Sequence, residues 1–222
     1  MIKERRKIEA FSCHMNNLPE GVAEYQRKVF DFFEMEINQE ISPHNTHHDW
    51  MNWKVKNTDF DIIIFFDIDC IPLKPGIYDH IFELVKDDNT IVGIEQANQD
   101  IDSNFVYAGP ACFAFSRKTY EKLGRPTFDI TKNYDVGGEF TWRARELGVR
   151  VELFKIKSSL NKKWKCGEKW FGNGTTYEDW LYHQFEVRFY PQVDTGIYSL
   201  TSEDKIRPFQ FIQRCKKILG DI

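Results

Sequence analysis

The 222-residue sequence carries only five cysteines, Cys13, Cys70, Cys112, Cys166 and Cys215. No two of them form a Cys-x-x-Cys pair, which excludes a zinc ribbon and a thioredoxin-type redox site. A chain of this length builds its core without disulfides, so reduced thiols are expected. Long apolar runs are also missing. None approaches the ~18 residues that would span a bilayer. The charged start, followed by a short interrupted apolar stretch, does not read as a signal peptide. A cytoplasmic protein without a membrane partner is therefore expected. Positive charge is not in excess: 30 Lys and Arg face 34 Asp and Glu, a net charge of −4. That argues against coating nucleic acid by bulk electrostatics. Two local basic stretches, Lys3, Arg5, Arg6, Lys7 and Lys162, Lys163, Lys165, read as solvated surface.

Aromatic residues are abundant, at 15% of the chain, with 19 Phe and 6 Trp. A bulky core, or a cleft for flat or sugar-like ligands, accounts for such a content. Apolar positions at three- and four-residue steps predict a helix over 20–38. A second helix is expected over 47–57, with Thr46 as N-cap. Residues 60–67, Phe-Asp-Ile-Ile-Ile-Phe-Phe-Asp, form a near-continuous apolar run of the kind found in strands buried on both faces. A helix over 76–86 and a strand over 90–94 follow. Strand residues over 106–115 are expected to be interrupted at Gly109-Pro110. Helices over 116–123 and 138–147 close at Gly124 and Gly148, and 149–156 reads as a strand. The polar, Trp- and Gly-rich segment 157–176 predicts a mobile loop. A last helical turn is expected within 178–185, and 201–222 reads as a tail. This alternation argues for one α/β domain over 1–222, with a central mixed, mainly parallel sheet flanked by helices. Ligands bind beyond the carboxyl ends of such strands.

The feature that carries chemistry stands at the end of the buried strand, Asp67-Ile68-Asp69. Two carboxylates two residues apart, at a strand end, can turn toward one point. They then offer hard oxygen donors to a divalent cation, which in turn clamps phosphates. Here the sequence resembles the GT-A glycosyltransferases, which use nucleotide sugars and end a buried strand in an Asp-x-Asp motif. The resemblance covers residues 7–195 and implies a Rossmann-like nucleotide-binding part over about 7–115. An acceptor and metal-closing part would follow over about 116–200.

The resemblance further implies Mn2+ or Mg2+ on Asp67 and Asp69, with His183 completing the shell. It implies a donor, most commonly a UDP-sugar, held near Asp67, His47, His48, Ala108, Gly109 and Arg188. The segment Tyr134-Asp135-Val136-Gly137-Gly138-Glu139 resembles the one that presents an acid to the acceptor hydroxyl. Asp135 is the first candidate base and Glu139 the second; Asp135 reads equally as an N-cap. Segment 157–176 would order over the donor, with Trp164, Trp170 and Asp179 meeting the acceptor. That acceptor would be a glycan precursor or a hydroxylated DNA base, in a bacterial or phage-infected cytoplasm. His44, His47 and His48 are spaced wrongly for a three-imidazole zinc site on one helix face.

Two other readings stand beside this one. A haloacid-dehalogenase-like phosphatase also ends a strand in Asp-x-Asp, with the first Asp as nucleophile. There the motif sits near the amino terminus and a threonine follows where Ile71 stands here. A non-enzymatic glycan- or nucleic-acid-binding module would use the tryptophans and basic stretches for stacking, but has no need of paired carboxylates on a buried strand.

Overall fold

The computed structural model describes residues 6–98, 102–188 and 202–222; the side chains of 102–103 and 202–205 lie outside that description. The basic residues Lys3 and Arg5 lie outside it too. In chain order the first half contains β1 (Ile8–His14), α1 (Val22–Phe32), β2 (Asn38–Ile41), α2 (His47–Asn57), β3 (Ile62–Asp67), β4 (Cys70–Pro72), α3 (Ile77–Val85), β5 (Thr90–Asn98) and β6 (Asp102–Ser116). The second contains α4 (Arg117–Lys122), α5 (Gly138–Glu146), β7 (Arg150–Phe154), β8 (Ile156–Ser159), β9 (Trp164–Cys166), β10 (Lys169–Phe171), β11 (Thr175–Tyr177), β12 (Leu181–His183) and α6 (Ser202–Leu219).

Six strands form the central sheet in the order β2-β1-β3-β6-β5-β7. All run in one direction except β6, which is antiparallel to both of its neighbours, β3 and β5. The sheet is thus mixed and mostly parallel, as the sequence predicts. β3 shows why. Its alternate residues Ile62, Ile64 and Phe66 pack on one face with Phe30 of α1 and Ile77 and Ile81 of α3. Ile63 and Phe65 pack on the other with Trp50 of α2 and Phe140 of α5. Each such side chain contributes about 1.5–3 kcal/mol when fully buried. A strand covered on both faces has no polar side to show, which is why its sequence is apolar throughout.

β4, β12, β11 and β8 form a second, antiparallel sheet, and β9 and β10 form a hairpin beside it. All five cysteines are free and buried. No helix among the described residues is long and apolar enough to cross a membrane.

The structure corrects several expectations. α1 stops at Phe32, and β2 occupies part of the span predicted as helix. The Met35 N–H reaches Phe30 O and the Glu34 N–H reaches Asp31 O, with Glu34 at φ 56°. This is a Schellman end with glutamate where glycine usually signals it. β6 runs unbroken through Gly109-Pro110; its register against β5 shifts between Gly93 and Ile94, so Pro110 sits in a bulge that needs no ladder N–H.

Segment 157–176 is folded into short strands, and 181–183 is a strand rather than a helical turn. The expected tail is helix α6, whose Phe211 and Cys215 are buried with Val22 and Val29 of α1. Two of the glycines of segment 157–176, Gly172 and Gly174, serve close packing. A Cβ on Gly172 would lie 2.2 Å from Asn161 O and 2.8 Å from Lys163 N, both backbone atoms. Gly172→Ala should therefore destabilise the fold by about 1–3 kcal/mol, the usual cost of overpacking. A shifted urea midpoint at unchanged slope would register it; an unchanged midpoint would show that the segment yields freely.

Candidate metal centre

β1 and β3 are parallel and end side by side, Cys13 opposite Asp67. β6, running the other way, brings its first half to the same edge of the sheet. The edge opens into a cleft of about 800 Å³, whose walls include Cys13, His14, His47, Gln96, Tyr107 and Asp135.

Asp67 is the last residue of β3, Ile68 and Asp69 make the turn, and Cys70 begins β4. β4 pairs with β12 so that His183 faces Cys70. The Gln184 N–H also binds Asp69 O at 3.0 Å. This register sets the imidazole against the two carboxylates. His183 Nε2 lies 3.1 Å from Asp69 Oδ1 and 3.5 Å from Asp67 Oδ2. Asp69 and His183 are buried, while Asp67 is partly open to the cleft. The three donor atoms lie within 4.8 Å of one another, a candidate metal-binding cluster.

The spacing suits a divalent cation: two ligands at ~2.1 Å and a right angle lie about 3.0 Å apart. Among the described residues, the buried His183 Nδ1 has no hydrogen-bond partner. The Phe185 ring covers the imidazole, centroids 3.7 Å apart, and packs in turn on Trp164 and Phe171. Phe185 and Glu186 both have positive φ, 62° and 53°. Backbone of this kind costs of order 1–3 kcal/mol per residue unless its surroundings hold it. Here Lys163 and Arg207 grip the Glu186 carboxylate at 2.7 and 2.8 Å.

Burial alone would raise the Asp69 pKa, but the charge of His183, its hydrogen bond and backbone N–H groups together hold the carboxyl below its ordinary value. His47 Nε2 approaches Asp67 Oδ1 at 3.5 Å, and its ring stacks on Trp50. Burial lowers its pKa, against the pull of Asp67. Neutral imidazole is thus favoured there. Arg188 lies on the cleft, and its charge reaches His47 and Cys13.

Asp135 stands across the cleft. Its Oδ1 accepts the Val136 N–H at 2.8 Å and its Oδ2 accepts the Tyr107 hydroxyl at 3.2 Å. Burial, and next the Asp135 charge, push the Tyr107 phenol well above its ordinary pKa, so it stays a donor. Asp135 does not cap α5; Gly137 holds the N-cap position in the left-handed region.

The other expected site residues divide. His48 joins His47 on the cleft. Ala108 and Gly109 do not line the cleft: Ala108 is buried in the core with its N–H bound to Thr141, and a Cβ on Gly109 would strike Gln96. Glu139 is not brought to the cleft: its carboxylate binds Thr127 and Arg143. Trp164 packs into the aromatic cluster under His183. Trp170 is exposed on the hairpin, and Asp179 is exposed and paired with Lys157. None of these last four lines the cleft. Sequence reasoning passed over Tyr107, although it stands inside the segment singled out at 106–115, and Phe185, two residues after the histidine.

No family model matches the chain, and no curated protein matches it. Solved structures do. A197 from STIV is similar over 65% of this chain and 80% of its own, at 12% identity and a TM-score of 0.44. A nucleotidyl transferase from Methanothermobacter thermautotroptrophicus is similar over 68% of this chain and 88% of its own, at 13% identity and a TM-score of 0.45. A glycosyltransferase involved in the glycosylation of the major capsid of PBCV-1 is similar over 52% of this chain and 62% of its own, at 13% identity and a TM-score of 0.36. Nucleotidyl- and glycosyltransferases are thus among the structures that this chain distantly resembles.

Proposed function

We propose that this protein is a metal-dependent glycosyltransferase that moves a sugar from a nucleoside-diphosphate sugar to an acceptor hydroxyl. One observation carries the reading: two carboxylates and an imidazole converge on a large cleft, with a separate, oriented carboxylate across it. Asp67, Asp69 and His183 would hold the cation. One imidazole beside two carboxylates suits Mn2+ better than Mg2+, which favours oxygen throughout. When bound, the cation offsets the negative charge on the departing diphosphate.

The chain's own residues do the rest. His47, His48 and Arg188 border the space beside Asp67, where the nucleotide would lie, with UDP as its carrier. In an inverting transfer the acceptor oxygen attacks the anomeric carbon and the bond from that carbon to the phosphate oxygen breaks. The diphosphate leaves with the bonding electrons. The acceptor proton passes to a carboxylate oxygen of Asp135. Tyr107 and the Val136 N–H each occupy one lone pair of that carboxylate, fixing its plane and leaving a further pair on each oxygen. A glycan precursor or a hydroxylated DNA base would serve as acceptor.

Calorimetric titration of UDP, with Mn2+ and then with chelator, tests the reading. Binding that requires Mn2+ is the expected result. Equal binding with chelator present would remove the metal from the donor site, and no binding in either condition would overturn the nucleotide-sugar assignment.

A further inference from the structure

Gln26 lies on the inward face of α1, near Val22, Val29 and Phe30, and is fully buried. A buried amide is costly unless its groups are bonded. Its Nε2 donates to Asp67 O at 2.7 Å and to Cys70 O at 2.9 Å. These carbonyls stand at the two ends of the turn that carries the carboxylates. Both are acceptors only, so the amide must present its nitrogen to them and turn its oxygen away. That oxygen meets Gln39 Nε2 at 2.8 Å. The same Gln39 nitrogen also donates to Ala23 O at 2.9 Å. Both amides thus spend both N–H bonds. A continuous chain of hydrogen bonds runs from β2, at the sheet edge, through α1 to the turn.

We infer that Gln26, oriented by Gln39, is a positioning residue for the carboxylates of the metal centre. The inference rests on the metal reading given above. The two bonds clamp the turn from behind, on the side away from the cleft, and so set the direction in which Asp67 and Asp69 leave the backbone. Gln39 reinforces that orientation, since a flipped amide would set its NH2 against the Gln39 NH2 as well as its oxygen against two carbonyl oxygens. A buried glutamine serving stability alone would leave cation affinity untouched, which separates the two roles.

The test is Mn2+ titration of the full chain, followed by the electron paramagnetic resonance of free Mn2+, with urea unfolding in parallel. Gln26→Met removes both donors at similar volume. Its Mn2+ affinity should fall about 10- to 100-fold, the usual effect of losing a partner that orients ligands. Gln39→Met lies at the half-buried edge and leaves the Gln26 donors in place. It should keep the fold and lose affinity less steeply, several-fold. If Gln26→Met does not fold, Gln39→Met decides. Wild-type Mn2+ affinity in the folded variants would overturn the positioning role alone. A wild-type protein that takes up no Mn2+ would overturn the metal reading, and this inference with it.

Discussion

Asp69→Asn is expected to abolish metal-dependent nucleotide binding while the protein stays folded. Asp69 is the most deeply buried oxygen donor of the cluster, and burial makes its charge count most. Asparagine keeps the shape and an oxygen 3.1 Å from His183 Nε2, but it removes the negative charge that balances a dication. Loss of a partner one shell further out already costs about 10- to 100-fold in metal affinity, so loss of this ligand should cost at least ~100-fold. UDP should then bind this variant equally with Mn2+ and with chelator. An unchanged Mn2+ isotherm would sink the assignment of Asp69.

Asp135→Asn separates chemistry from binding. The amide oxygen can still accept the Val136 N–H while the amide NH2 donates to the Tyr107 hydroxyl oxygen, so the loop keeps its shape, but the group no longer takes a proton. General-base catalysis is worth typically 10²–10⁴-fold, and kcat should fall by about that factor. Donor affinity should stay at the wild-type value, because Asp135 stands across the cleft from the metal cluster. The measurement is single-turnover transfer at saturating donor, together with calorimetry of UDP. Full transfer by this variant would end the candidacy of Asp135. A loss of donor binding would instead assign it to the donor.

The elements that were legible in the sequence are those with a local physical signature. α2 begins where Thr46 accepts the Asp49 N–H, and β3 announces itself by five apolar residues in sequence, Ile62 to Phe66. The ends of strands and helices without such signatures were not legible. Glu34 ends α1 in a conformation that usually belongs to glycine. The three-residue strands β9, β10 and β11 are too short to show a period, and their glycines read as flexibility although close approach demands at least one. α6 contains Pro208, which local propensity disfavours inside a helix, and packing on α1 sustains it.

The site divides in the same way. Asp67 and Asp69 stand out because charge follows a buried strand. His183 came only from resemblance, since its place beside Cys70 is a matter of strand register. Gln26 gave a faint signal, a polar residue on an otherwise apolar helix face, and only its two carbonyl partners give that position meaning.

The metal cluster joins residues 114 positions apart in sequence, and this distance has a consequence during synthesis. At ribosomal speeds, about 6 to 23 s pass between the addition of Asp69 and that of His183. Throughout that interval the emerging chain holds the paired carboxylates without their histidine. The late strand β12 must then dock on β4, with Tyr182 packed in the cluster that contains Phe211 and Cys215 of α6. On the metal reading proposed above, cation uptake would wait for that docking. A nascent product that has built much of the large sheet but not yet β12 would hold the two carboxylates without the histidine, and on the proposed function could not yet act on a donor.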